Sequence, residues 1–369
     1  MNPLRVLWLS PCMRPLARVQ AEALYRRGAE VLLVTSNQLP ESDTARDYEL
    51  VLDPRFRATA SWPATLAGWR RIRQFRPHVV LAELVRDPRW ILLAGKAPRI
   101  QLVHGDFADE TAKHRPVCER AVLGRWGAGS AATVTYSNFA ATAVAARRDV
   151  RGTRIYVVPR TSDLDAALVP PLVGADGRHD FVMIGRLNPD NNIDVVLEGW
   201  QRHLSSGGWR GDELVLIGDG PLVIRSLPAF VRWRSGKYRH SDVVTTLAHA
   251  KGSIVHYRCA SETGVQVLSM QLGVMPVVST VDGLPEYQPP NYPPIGVDDS
   301  AALAAAFDEL ADPFTATLRG AAAARHYQQR FAADGAADRL LDVISEVLAA
   351  RPHVPSRIAA HPKGPGRSR

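Results

Sequence analysis

The first residues that could do chemistry lie where a predicted strand ends and a predicted helix begins. In "MIGRLNPDNNIDVVLEGW", residues 183–200, an apolar run stops at Gly185 and Arg186, and a helical pattern resumes after two asparagines. Free backbone N–H groups at a helix start and the fork of a guanidinium both suit phosphate oxygens. The pattern therefore predicts an anion site, although an arginine at a strand end is also common as a surface charge.

A second turn repeats this arrangement further along the chain. In "LIGDGPL", Gly218 and Gly220 permit a tight turn directly after a buried strand. The pattern fits either a second loop at the ligand or a plain turn, and both interpretations stay open.

The segment "YRCASETGVQVLSMQLGVMPVVSTVDGLPEY", residues 257–287, places two more loops after strands. Glu262 ends the first loop, and Gly264 lets the backbone approach a ligand where a helix begins. Gly283 and Glu286 lie in the loop after the next strand. Because the carboxyl ends of parallel strands share one edge of a sheet, all these loops are predicted to face the same cleft.

The elements that position these loops are short apolar runs alternating with longer helical patterns. This alternation predicts an α/β fold with two doubly wound, Rossmann-like domains that face each other across a cleft. We expect the first domain in residues 1–165, a linker rich in proline and glycine in 166–179, and the second domain in 180–350, ending in Ala-rich helices. Residues 351–369 are expected to be a disordered basic tail.

Composition limits the classes of function. A chain of 369 residues with 46% hydrophobic and 22% charged residues is typical of a soluble protein of two domains. Its net charge of +8 does not indicate a nucleic-acid partner, because five cations lie in the tail: Arg351, Arg357, Lys363, Arg367 and Arg369. The first apolar run is short and leads to no cleavage site, so it reads as a strand and predicts a cytoplasmic protein. Cys12, Cys118 and Cys259 have no metal-like spacing.

One amphipathic helix is strongly basic. In "ATLAGWRRIRQFRP", residues 64–77, Trp69, Ile72 and Phe75 oppose a set of arginines. The pattern fits a helix packed on the sheet with a solvated basic face. It also fits a patch for an anionic membrane or a lipid-phosphate acceptor, so we add contact with the inner face of the membrane as an alternative location.

The order "GRLNPDNNID", "LVLIGDGPL" and "ASETG…LG…PVVST…GLPE" resembles the carboxyl-terminal donor-binding domain of glycosyltransferase family 4, retaining sugar transferases of the GT-B fold. The resemblance is close over residues 180–300 and looser in the first half. It implies a nucleotide-diphosphate sugar as donor, with Arg186 on the diphosphate and Glu262 near the sugar hydroxyls. It also implies that His104, in "RIQLVHGD", faces the sugar from the other domain.

The resemblance further implies transfer of a hexose to a hydroxyl of a glycan or lipid-linked acceptor, with retention and with no cofactor or metal. The predicted catalytic residues are Glu262, His104 and Arg186. The predicted substrate-binding residues are Gly185, Asn191, Gly218, Gly220, Gly264, Gly283 and Glu286.

Three positions depart from the family pattern. Asn191 stands where a lysine is usual, the register of a usual second glutamate falls on Ser269 or Met270, and the loop "SPCMRPLA" lacks glycine. Candidates to replace the missing cation are Arg14, Lys251 and Arg258. The alternative function is a catalytically degenerate GT-B protein that acts as a binding or partner subunit. "DLD" at 163–165 matches the metal motif of another glycosyltransferase fold, but follows a strand of the wrong fold.

Overall fold

A computed structural model of the chain describes residues 3–36, 44–52, 62–85, 88–105, 117–221, 226–238, 240–260 and 263–350. The strands in this part are β1 (Arg5–Ser10), β2 (Glu30–Ser36), β3 (Glu49–Leu52), β4 (Val79–Glu83), β5 (Arg99–Val103), β6 (Ala132–Thr135), β7 (Arg154–Val157), β8 (Phe181–Ile184), β9 (Leu214–Ile217), β10 (Val231–Arg234), β11 (Gly252–Val255) and β12 (Pro276–Val278). The helices are α1 (Arg14–Arg26), α2 (Trp62–Phe75), α3 (Ile91–Ala94), α4 (Val117–Ala128), α5 (Asn138–Val144), α6 (Ile193–Ser205), α7 (His240–Ala248), α8 (Gly264–Gln271), α9 (Ser300–Ala311), α10 (Pro313–Arg330) and α11 (Ala333–Ala349).

The first seven strands form one parallel sheet in the order β3-β2-β1-β4-β5-β6-β7. Helices cover both faces, which is why strands such as β1 and β4 are continuous apolar runs with no alternation. The six apolar runs predicted as strands in this half, "LRVLWLS", "AEVLLVTS", "HVVLAEL", "RIQLVHGD", "ATVTYS" and "RIYVVP", are confirmed. The four-residue strand β3 was not predicted, because "ELVL" is too short for its period to be read.

The other five strands form a second parallel sheet in the order β10-β9-β8-β11-β12. Its core contains Phe181, Trp200 and Phe307, whose rings meet edge to face, with the centroids of Phe181 and Phe307 4.9 Å apart. Such pairs contribute about 0.5–1.5 kcal/mol beyond area burial. The predicted α/β class with two doubly wound parallel sheets is confirmed.

The last helix leaves the second sheet and packs on the first. Leu340 and Ile344 of α11 belong to the same apolar cluster as Val6 and Trp8 of β1. The chain therefore passes between the two halves twice, once through residues 166–179 and once before α11. The described helices include none that is both long and apolar enough to cross a bilayer.

Candidate active site

The carboxyl edge of the first sheet carries a buried carboxylate that holds a histidine. Glu83 is the last residue of β4 and is fully buried. His104 follows β5, and its Nε2 lies 2.8 Å from Glu83 Oε1. Because an ionised carboxylate only accepts hydrogen bonds, this nitrogen is the donor. Glu83 was not predicted. The available signal was an acid at the end of the apolar run "HVVLAEL".

Three further donors complete the surroundings of Glu83. Tyr136 OH donates to Oε1 at 3.1 Å, while Ser10 Oγ and Trp8 Nε1 donate to Oε2 at 2.8 and 3.3 Å. Burial raises the pKa of Glu83, but the hydrogen bonds and the charge of His104 outweigh it, so that the pKa lies below its usual value. The carboxylate is thus ionised at neutral pH and fixes the orientation of the imidazole.

The end of β8 forms a rigid platform with the loop after β9. Gly185 has a φ of +149° and is followed by the exposed Arg186. A Cβ on Gly218 would lie 1.9 Å from the carbonyl oxygen of Gly185, and one on Gly220 would lie 2.0 Å from that of Leu187. Both glycines are therefore required by the contact between the two loops, whatever else they bind.

Asn191 closes a turn between β8 and α6. Residues Pro189–Asn191 form one 3₁₀ turn. Asn188 Oδ1 accepts from the Asn191 N–H at 3.2 Å, and Asn191 Oδ1 accepts from the Asn188 N–H at 3.4 Å. A lysine has no acceptor and could not make the second bond. Asn191 therefore has a structural role as a cap, at the position where the family resemblance implies a lysine.

The start of α8 receives a cation from the first half of the chain. Thr263 caps the helix by accepting from the Val265 N–H at 3.3 Å. A Cβ on Gly264 would lie 3.0 Å from a guanidinium nitrogen of Arg160. Arg160 follows β7 in "VVPRTSD" and is nine-tenths buried. A guanidinium beside a helix start concentrates positive potential, which favours an anion. Sequence reasoning missed Arg160.

Glu286 and Tyr287 bind the first half of the chain, and we call these two residues and their partners Tyr136–Phe139 the clasp. Glu286 accepts from the backbone N–H groups of Asn138 and Phe139 at 2.8 and 2.7 Å, which is the N-terminus of α5. Tyr287 OH donates to the carbonyl oxygen of Tyr136 and accepts from the Arg160 N–H at 3.0 Å. The carboxylate of Glu286 thus serves as a contact between the two halves.

Residues 17–166 match the family model of Glycosyltransferase Family 4. The whole chain is similar in fold to sucrose-phosphate synthase from Thermosynechococcus elongatus, with a TM-score of 0.68 and 15% identity over 94% of this chain and 100% of that one. It is also similar to the Anabaena protein HepE in complex with UDP-glucose, with a TM-score of 0.62 and 12% identity over 93% of this chain and 100% of that one. The chain therefore has the GT-B fold, and its first half matches the family model of a glycosyltransferase.

A third structure of the same fold is the UDP-forming α,α-trehalose-phosphate synthase from Burkholderia xenovorans, with a TM-score of 0.63 and 13% identity over 93% of this chain and 99% of that one. None of the curated proteins matches the chain in sequence. The predicted resemblance is confirmed, although the family match falls on the half where the resemblance was looser. Identities this low show the fold alone, so the roles of individual residues rest on the geometry.

The three candidates for a second cation lie in different places. Arg14 makes a buried bidentate pair with Glu49, at 2.7 and 3.3 Å. Lys251 pairs with Asp212 at the amino end of β11, away from the carboxyl edge. Arg258 follows β11 and donates its backbone N–H to the Asp190 carbonyl at 2.7 Å, which sets it beside the 189–191 turn.

Arg258 is thus the only one of the three beside that turn, and its guanidinium binds both carboxylate oxygens of Asp194 at 3.0 and 2.9 Å. Ser269 and Met270, where the family resemblance implies a second glutamate, are both buried. The Ser269 hydroxyl donates to the Val265 carbonyl oxygen at 2.7 Å.

The remaining predicted residues stand as follows. Gly283 starts the turn of the clasp and donates its N–H to the Ala260 carbonyl at 3.3 Å. Glu262 lies outside the described residues, as does the tail 351–369. The structure brings His104 and Glu83 together on one edge, and the clasp connects that edge to the second sheet. The catalytic and substrate-binding roles stay predictions.

Proposed function

We propose that this glycosyltransferase moves a hexose from a nucleotide-diphosphate sugar to a hydroxyl of a glycan or lipid-linked acceptor, with retention of configuration. The observation that carries the proposal is the Arg160 guanidinium at the start of α8, on the strand edge where Arg186 also lies. Two cations and a helix N-terminus suit a diphosphate. The likeness in fold to a protein in complex with UDP-glucose supports the same class of donor.

In the proposed reaction the bond from the anomeric carbon to the diphosphate oxygen breaks, and a bond to the acceptor oxygen forms on the same face. The acceptor proton passes to the departing phosphate oxygen, so no separate base is required. Arg186, Arg160 and the α8 N-terminus stabilise the developing charge. His104, held by Glu83, contacts the sugar from the opposite sheet.

The proposal assigns charge neutralisation to protein groups, and it therefore requires no metal ion. A term of about 2–4 kcal/mol for each well-placed donor is the usual scale of such stabilisation. We place Glu262 near the sugar hydroxyls, as the family resemblance implies.

The first experiment is a thermal-shift screen against UDP, GDP and ADP sugars, because a bound donor raises the melting temperature by mass action. The best donor is then tested for hydrolysis and for transfer, with the anomeric configuration of the product read by NMR. Arg186→Ala should lose binding, whereas Arg210→Ala, an exposed arginine elsewhere, should not.

The alternative of a catalytically degenerate subunit makes the opposite prediction. It rests on Asn191, whose amide is engaged in a cap at the position of the usual cation. A protein that binds no nucleotide sugar and hydrolyses none would favour this alternative over the transferase.

We also propose that the enzyme acts in the cytoplasm or at the inner face of a membrane, through its basic surface.

A further inference from the structure

Helices α2, α3 and α4 cover one face of the first sheet, and we call residues 62–76, 88–98 and 117–128 the basic layer. Trp69 and Ile72 of α2, Leu93 of α3 and Trp126 of α4 belong to one apolar cluster with strand residues such as Leu7. Gly68 faces Leu52 so closely that a Cβ would lie 2.8 Å from its side chain. Packing therefore fixes which side of α2 faces the sheet, and the other side is left to solvent.

The charge of this layer is one-sided. Its sequence contains one acid, Glu119, and eight cations, which are Arg70, Arg71, Arg73, Arg76, Arg89, Lys96, Arg120 and Arg125. All of these cations except the half-buried Arg89 are exposed. Such a surplus gives the layer a positive potential that a single acid cannot cancel.

The layer on the opposite face of the same sheet is different. There Arg26 pairs with Asp334 and Arg27 with Asp338, both at 2.7 Å, between α1 and α11. These two cations are thus compensated by carboxylates of the same layer. Residues 1–165 contain 25 cations and 16 acids, and the basic layer contributes +7 of their net charge of +9.

Large apolar side chains are exposed among these cations. Trp62 and Leu66 of α2 are 52% and 49% exposed, Leu92 of α3 is 73% exposed, and Val122 of α4 is 48% exposed. Each of the three helices contributes at least one. A surface that combines arginines with exposed tryptophan and leucine suits the boundary between lipid headgroups and acyl chains. A nucleic acid would bind the arginines through its phosphates but has no apolar region in which exposed leucines could be buried.

We propose that the basic layer docks on an anionic lipid bilayer, with its arginines on lipid phosphates and Trp62, Leu66, Leu92 and Val122 in the headgroup region. The proposal deepens the peripheral membrane contact of the proposed function by naming the surface that makes it. It also makes the first domain the membrane-facing half, so that an acceptor carried on a lipid would approach the edge that holds His104.

Sedimentation of the full chain with vesicles tests the proposal, using phosphatidylcholine with phosphatidylglycerol against phosphatidylcholine alone. The triple substitution Arg70→Gln, Arg120→Gln, Arg125→Gln should weaken binding to the anionic vesicles by at least about tenfold. Its control, Arg210→Gln, Lys237→Gln, Arg325→Gln, removes the same charge from exposed positions in the second half and should bind as the wild type does. Equal weakening by both triples would overturn the proposal, because binding would then follow net charge.

A second pair of variants tests the apolar contribution. Leu66→Ser with Leu92→Ser should weaken vesicle binding, whereas Leu168→Ser with Leu318→Ser, which are 63% and 72% exposed outside the layer, should not. Unchanged binding in the first pair, together with tight binding of a duplex RNA by the wild type, would overturn the proposal in favour of nucleic acid. Melting temperatures check that every variant is folded.

Deletion of 351–369 separates the layer from the tail. If the deletion abolishes vesicle binding while the arginine triple leaves it intact, the tail is the membrane contact and the proposal is wrong. Hydrolysis of the nucleotide sugar without vesicles should be unchanged in all these variants. Vesicle binding by the variants therefore tests the proposed membrane surface. Turnover of the wild type tests the proposed reaction separately, because an absent turnover would contradict that reaction and not the membrane surface.

Discussion

Replacing Glu83 with glutamine tests how the carboxylate controls His104. Glu83 accepts hydrogen bonds from His104, Tyr136, Ser10 and Trp8 in a fully buried site. Glutamine has the same shape but offers one acceptor oxygen and one NH₂ donor. Trp8 Nε1 can only donate, so the amide oxygen must stay on its side and the NH₂ must face His104.

The imidazole of His104 must then change its own hydrogen position. In the wild type Nε2 donates to Glu83, whereas in Glu83→Gln the same nitrogen has to accept from the amide, and a neutral ring must carry its proton on Nδ1. Any chemistry that uses Nδ1 as an acceptor is lost. We expect turnover to fall at least about tenfold, which corresponds to about 1.4 kcal/mol.

Stability should fall as well. Each hydrogen bond to a charged group contributes about 1.5–3 kcal/mol to stability, and each neutral one about 0.5–1.5 kcal/mol. An amide is also less costly to bury than a carboxylate, which offsets part of this difference. We therefore expect Glu83→Gln to lower the free energy of unfolding by about 1–3 kcal/mol. Because the pKa of Glu83 is lowered in the folded state, its contribution to stability is present above the pKa of an unfolded glutamate. It is lost as pH falls through the folded pKa. The difference between the two proteins should therefore close in acid.

Glu49→Gln is the matched control. Glu49 is a buried carboxylate of the same domain, bound by Arg14, Arg18 and Thr35, and these bonds outweigh burial and lower its pKa to about 2. This variant should lose stability without losing turnover. Nitrogen-15 NMR of the His104 ring reports the protonated nitrogen. A Glu83→Gln enzyme with full turnover and with the hydrogen still on Nε2 would refute the reasoning.

The other predictions concern the second half and the clasp. Asn191→Lys gives up one capping hydrogen bond, about 0.5–1.5 kcal/mol, and adds a charge-assisted contact of about 1.5–3 kcal/mol. Titration calorimetry should therefore show tighter nucleotide-diphosphate binding, and weaker binding would mean that the phosphates lie elsewhere. Arg186→Ala and Glu262→Ala should each cut turnover at least about tenfold with little change in melting temperature; a fully active Glu262→Ala enzyme would remove the residue from the site. Glu286→Gln weakens the carboxylate contact with α5, so small-angle scattering should show a larger radius and kinetics a higher KM for donor, whereas unchanged values in both would assign the clasp no role in closure.

The order of strands and helices could be predicted from the sequence because each buried strand is an apolar run and each helix has an amphipathic period. Elements that depend on distant partners could not. β3 has only four residues, and the packing of α11 on the first sheet joins Leu340 to Trp8, far apart in the chain. No local pattern encodes such a contact.

The site was predicted unevenly for the same reason. Arg186 and Gly185 are visible because strand, turn and helix follow one another in sequence. Glu83 and Arg160 are single residues whose partners lie on other elements, so their importance appears only in three dimensions. Asn191 shows the reverse case. From the sequence it was interpreted as the replacement of a cation, whereas in the structure its side chain and that of Asn188 cap the 189–191 turn reciprocally.

The clasp gives these separate residues a physical connection. The Arg160 N–H donates to Tyr287 OH, that hydroxyl donates to the Tyr136 carbonyl, and the Tyr136 phenol donates to Glu83, which holds His104. The carbonyl and the phenol of Tyr136 are separate groups, so the connection runs through the covalent framework of this residue as well as through hydrogen bonds. The cation at the start of α8 and the histidine of the opposite sheet are therefore joined through Tyr136 when the clasp is closed. Two links of this chain join the halves, from the Arg160 N–H to Tyr287 and from Tyr287 to the Tyr136 carbonyl, so separation of the halves would break both. The arrangement of Glu83 and His104 belongs to the first half alone and would survive that separation. In the proposed function, closure of the two halves brings an already oriented histidine to the donor.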